Sequence, residues 1–134
     1  MPDTSAEATR SGPGRLLIAV YAIFALAATA RSGVQLVTKF EHAPLAYLLS
    51  AFAAIMYIVA TVFLTRGDDR SRLIAAGSCL IELIGVLVVG TASLLAPQAF
   101  PDATVWSEYG KGYGFVPLVL PVLGLLWIRH LNRR

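Results

Sequence analysis

Ala43–Leu64, APLAYLLSAFAAIMYIVATVFL, runs for 22 residues without a charged side chain. At 1.5 Å rise per residue, a helix of that length covers about 33 Å, enough for a hydrocarbon core of ~30 Å. Pro44 near its start suits a first helical turn, where its missing N–H costs nothing. Downstream, Leu73–Ala96 extends for 24 residues with Glu82 as its one charge, and Pro97 ends it. Upstream, Leu16–Ala30 is apolar or near-neutral, and helical pattern continues through Arg31 to about Val37. The last run, Tyr113–Ile128, has 16 residues and contains Pro117 and Pro121. It covers only about 24 Å, so it must borrow flanking residues, thin the bilayer locally or lean on its neighbours.

Composition supports a lipid-solvated chain. Of 134 residues, 57% are hydrophobic and 14% charged, and the mean hydropathy is +0.69. A soluble domain is nearer a quarter charged, and a small one buries too little of its surface to hide this much apolar area. The fold class expected is an all-α membrane protein: a four-transmembrane-helix antiparallel bundle with spans near 15–37, 43–64, 73–96 and 113–128. Residues 1–14, polar and rich in Pro and Gly, read as a disordered cytoplasmic tail, and residues 131–134 as a basic C-terminal tail. The rival for the first run is a cleaved signal peptide, with Arg10 and Arg15 as its basic region and Ala28-Thr29-Ala30 as its cleavage site.

Lysine and arginine near span ends set orientation. Arg10, Arg15, Arg66, Arg70, Arg72, Arg129, Arg133 and Arg134 fall on one side, and Arg31, Lys39 and Lys111 on the other. Eight against three places both termini in the cytoplasm of a bacterial cell membrane. The positive charge faces lipid headgroups in this reading, and nucleic acid is not expected as a partner. The loop 97–112, with Phe100, Trp106 and Tyr109, is expected to lie on the outer membrane surface, because aromatic rings favour the headgroup level. Small residues recur at helical spacing: Ala46, Ser50 and Ala54 in the second span, and Ala75, Ser78, Cys79, Gly85 and Ser93 in the third. Such stripes let helices approach closely.

Three polar residues stand out inside the apolar runs. Glu82 lies nine residues into the third span, about 14 Å deep. A charge there is costly, so the residue is either a proton or cation site or a neutral acid that locks helices together. Tyr57 lies at nearly the same depth and is the expected partner, with the carbonyl freed by Pro121 as another. Arg31 reads as an interfacial anchor or as an anion or headgroup site at the outer mouth. Cys79 reads as a small core residue. The Gly-Tyr-Gly of residues 112–114 lacks the Thr-Val that precedes it in a potassium filter, and reads as an outer hinge. His42 and His130 fall on opposite sides of the membrane. No catalytic group, cofactor or metal is expected.

The run FPDATVWSEYGKGYGFVPLVLPVLGLLW (Phe100–Trp127), together with RSGVQL and KFEHAPLAYLLSA, resembles an uncharacterised family of small four-helix integral membrane proteins of actinobacteria. The resemblance covers about residues 15–129. It implies the same topology and brings no activity, cofactor or site residue with it. The functional expectation is a non-enzymatic accessory, interaction or oligomerising membrane protein, with the lipid bilayer and other membrane proteins or further copies of itself as partners. The alternative is a proton- or cation-coupled transporter or channel subunit using Glu82.

Overall fold

A computed structural model describes residues 4–133. Its helices are α1 (Thr4–Thr9), α2 (Pro13–Thr38), α3 (Pro44–Arg66), α4 (Asp69–Leu95) and α5 (Val116–Asn132). Tight 3-10 turns occupy Phe40–His42, Pro97–Ala99 and Ser107–Tyr113. Pro13 and Pro44 open α2 and α3. Gly67 closes α3 in a left-handed conformation, φ 69°, and its N–H reaches Phe63 O, a C-terminal stop that glycine takes without a Cβ clash. Asp69 stands in the first turn of α4, where the unpaired N–H groups favour a negative charge.

Three helices, α2, α3 and α4, are each long and apolar enough to cross a membrane. A fourth span exists only if Ser107–Tyr113 and α5 are taken together, and these are bent by 98° to one another. The last helix therefore differs from the expected Tyr113–Ile128. It starts at Val116, after left-handed turns at Gly114 and Phe115, and continues to Asn132. Leu131 is buried, so the end of the chain up to Asn132 belongs to the helix rather than to a tail; Arg134 lies outside the described residues.

Burial is inverted relative to a water-soluble protein. The interior holds Tyr21, Tyr47, Tyr57, Glu82 and a series of alanines and serines, while Leu26, Val37, Leu73 and Leu95 are each more than 70% exposed. Without water to avoid, lipid-solvated helices gain by close packing and hydrogen bonding inside, and leave their bulky aliphatics to acyl chains. This distribution, with the three long apolar helices, makes the chain a multi-pass membrane protein. The small residues expected at the contacts sit there: Ala46, Ser50, Ala54, Ala75, Ser78 and Cys79 are all buried. In sequence order each long helix packs on the next, α2 on α3, α3 on α4 and α4 on α5.

The stretch expected as a disordered tail is ordered from residue 4 on. Thr9 is fully buried; its hydroxyl donates to Gly67 O at 2.8 Å and accepts from Arg72 Nε at 2.8 Å. Trp127 Nε1 donates to Thr9 O at 3.1 Å. A Cβ at Gly14 would lie 2.0 Å from Thr9 O and 2.6 Å from Trp127 Nε1, so this glycine admits the close approach. Polar composition suggested solvent; the matching polar groups on α4 and α5 supply the partners instead.

Candidate functional site

Glu82 is fully buried at the point where the long helices meet. Ser78, one turn earlier on α4, donates to Glu82 Oε2 at 3.1 Å and to Met56 O of α3 at 2.7 Å. Glu82 Oε1 has no hydrogen-bond partner among the described residues. Around the carboxyl stand Cys79 of α4 and Tyr21 of α2, whose hydroxyl lies 3.3 Å from Cys79 Sγ. α5 contributes Gly124, where an added Cβ would come within 2.7 Å of that sulfur. Tyr21 and Tyr57 rings pack at a centroid distance of 6.3 Å, and Phe24 meets Tyr57 edge-on. The arrangement is one carboxyl, one aliphatic hydroxyl, one thiol and two phenols.

Tyr57 is not the hydrogen-bond partner of Glu82. Its hydroxyl oxygen accepts from Trp106 Nε1 at 3.1 Å. Arg31 does not pair with Glu82 either. It donates to the Tyr113 hydroxyl and lies over that ring, 5.8 Å from the centroid. The sequence-selected residues thus divide into two places: Glu82 and Tyr57 in the centre, Arg31 at the other end of α2 with Tyr113.

The largest departure from the sequence reading is the segment 97–113, whose middle, Thr104–Trp106, turns into the protein while Pro97–Ala99 and Lys111–Gly112 stay exposed. Val105 N donates to Ser50 Oγ at 3.3 Å, six residues or about 9 Å along α3 from Pro44. Trp106 is 1% exposed. Its ring lies on Gly85 of α4, where an added Cβ would fall 2.6 Å from a ring carbon, and it meets Phe52 edge-on. Gly90 admits the Tyr109 ring in the same manner, 2.4 Å from a built Cβ, and the Tyr109 hydroxyl reaches Thr91 Oγ1 at 2.9 Å. Glu108 N donates to Ser93 Oγ at 2.8 Å. Glu108 and Tyr109 carry positive φ of 51° and 61°, a conformation costing of order 1–3 kcal/mol each, which persists because the surrounding contacts hold it. Gly110, φ 83°, faces the Pro117 ring, and no side chain fits there.

Two glycines five residues apart on α4 were the available signal for this insertion. Gly85 reads as a helix-contact residue and Gly90 carries no reading of its own; that the contacting group is a loop aromatic rather than another helix has no separate signature in sequence. An indole needs its N–H satisfied when buried, and the Tyr57 hydroxyl does so.

A second polar group lies at the end of α2 that carries Arg31. Asp102 Oδ2 accepts from the buried Tyr47 hydroxyl at 2.9 Å and Oδ1 from Ala103 N at 2.9 Å. The Tyr47 hydrogen bond holds the Asp102 carboxyl below the usual carboxylate range, with Lys39 and Arg31 nearby acting in the same direction. Gln35 is 4% exposed and its Oε1 has no partner among the described residues. A depression of about 580 Å³ joins Arg31, Gln35, Lys39 and Asp102. No protein-family model, no curated protein and no solved structure matches the chain.

Proposed function

We propose that this chain is a four-span antiparallel helical bundle of a bacterial cell membrane, with both termini cytoplasmic, acting without catalysis as an accessory or assembly partner or as a homo-oligomer. The eight-to-three distribution of basic residues supports the orientation, and the likeness to actinobacterial four-helix membrane proteins belongs to the same reading. The observation that carries the functional part is the setting of Glu82. It is sealed from solvent, and the Ser78 hydroxyl beside it ties α4 to Met56 of α3. Ser78 has one hydrogen for two acceptors. A neutral Glu82, donating its own proton to Ser78 Oγ while Ser78 donates to Met56 O, lets both contacts form. In this role the acid supports the Ser78 pin between α4 and α3 rather than serving as a moving charge.

The test is particle size and permeability together. Protein extracted directly into native-lipid nanodiscs is expected as a complex larger than one chain, and proteoliposomes are expected to hold an imposed pH gradient as long as protein-free vesicles. A lone chain without companions overturns the assembly role. A second reading rests on the unpartnered Glu82 Oε1: a proton carrier that loads at Glu82 when Trp106 withdraws. Wild-type vesicles that leak protons, with the leak abolished by Glu82→Gln, favour that reading.

A further inference from the structure

The depression at the end of α2 has the chemistry of a binding site. Ala27, Arg31 and Gln35 follow at four-residue spacing, which puts successive side chains about 5–6 Å apart on one helix face. Lys39 caps the same helix. Across from them stands Asp102, on the segment 97–113 and fixed in place by Tyr47. The lining is therefore two cations, one anion and the Gln35 side chain, whose amide oxygen is buried beneath the surface without a donor among the described residues, over an apolar wall that includes Ala27 and Val34. Its volume of about 580 Å³ falls in the range of small-molecule sites. No described residue uses the Gln35 acceptor, and leaving a buried acceptor unpaired is costly. Arg31 and Lys39 do not approach Asp102 closely enough to form an ion pair among the described residues; opposite charges are held apart across an open depression.

We infer that this depression binds a phosphoethanolamine group, its phosphate on Arg31 and Lys39 and its ammonium on Asp102 and Gln35 Oε1. A plain anion would answer the two cations and leave Asp102 and the amide oxygen unserved. A primary ammonium has N–H donors for both. A quaternary ammonium has none, so choline esters lose the Gln35 bond. The terminal amide torsion of glutamine is soft, which lets Oε1 turn to the depression that its side chain lines. The apolar wall continues the lipid-facing surface of α2, where Val34 is 60% exposed, so a membrane phospholipid headgroup and a water-soluble phosphoethanolamine ester share the recognition chemistry.

Native mass spectrometry of the full chain from nanodiscs of mixed phosphatidylethanolamine, phosphatidylcholine and phosphatidylglycerol reads the proposal. Phosphatidylethanolamine is expected to be retained roughly tenfold over the choline lipid, the effect of one charge-assisted hydrogen bond. Gln35→Leu and Asp102→Asn are expected to erase that preference, and Arg31→Gln to weaken both lipids. Gln35→Leu removes an unpaired buried polar atom, so its thermal unfolding is expected at or above wild type, which separates loss of binding from loss of fold. Soluble glycerophosphoethanolamine that displaces the lipid at equal concentration assigns the free ester as ligand; lipid retained against it assigns the headgroup. Equal retention of all three lipids with no displacement by the soluble ester, or a preference unchanged in Gln35→Leu and Asp102→Asn, overturns the inference.

Discussion

Replacing Gly85 by alanine decides whether the segment 97–113 is held inside the protein or merely rests against it. On a helix face with nothing opposite, glycine to alanine stabilises by up to about 1 kcal/mol through backbone entropy. Here the new Cβ would fall 2.6, 2.7 and 3.0 Å from three carbons of the Trp106 indole. The ring is rigid, flanked by Phe52 and tethered through Nε1 to Tyr57. It escapes only by giving up part of its seat or the Tyr57 bond. Overpacking of that kind costs about 1–3 kcal/mol, so after the backbone gain the net expectation is a loss of up to about 2 kcal/mol. A second signal is optical. With Trp127→Phe in the background, Trp106 is the one indole left, and its emission is expected to shift to the red and become accessible to aqueous quenchers. Unfolding in mixed SDS micelles measures the energy, and fluorescence measures the ring. A Gly85→Ala protein that is more stable than its parent, with unmoved emission, refutes the inserted position of Trp106.

Other outcomes follow from the remaining contacts. Ser78→Ala removes the donor to Met56 O and the hydroxyl that meets Glu82 Oε2, with an expected loss of about 1–3 kcal/mol in the same unfolding assay; Ser78→Thr, which keeps the hydroxyl, is expected to recover most of it. Asp102 has its carboxyl held low by Tyr47, so its contribution to docking of the 97–113 segment is complete above the ordinary carboxylate value of about 3.9 and fades as the pH falls through the lowered folded value. Asp102→Asn is expected to flatten that acid limb, read by Trp106 emission against pH. For topology, the exposed Ser11 and Gly112 replaced singly by cysteine are expected to label from the cytoplasm and from outside, respectively, with an impermeant maleimide on intact cells and inverted vesicles. Because α2 supplies Leu17 and Tyr21 to the core, the intact mass of the membrane-bound chain is expected to include it; a mature chain beginning after Ala30 contradicts this.

The long apolar runs were legible because lipid imposes a length and a composition that few other constraints mimic. The boundaries of α3 follow Pro44 and Gly67, and α4 begins four residues before Leu73 because Asp69, Arg70, Ser71 and Arg72 continue its helical turns into the charged region. Glu82 and the small residues around it were legible as interior for the same reason: nothing else accounts for a carboxylic acid within such a run. What composition hid were the places where polar pieces satisfy one another. Thr9, Gly67 and Arg72 come from segments that each look solvated alone. Trp106 reads as an interfacial ring until Gly85 and Tyr57 are set beside it. These pairings join residues 21 to 63 positions apart, and no local period announces them.

The contact between Thr9 and Trp127 also bears on the order of assembly. The seat of Thr9 is completed by a residue made 118 positions later. During synthesis Thr9 can meet Gly67 and Arg72 before α5 is made, but not Trp127. Closure at this end of the helices thus waits for α5, and a chain arrested before that helix would lack the Trp127 contact that helps to hold Thr9.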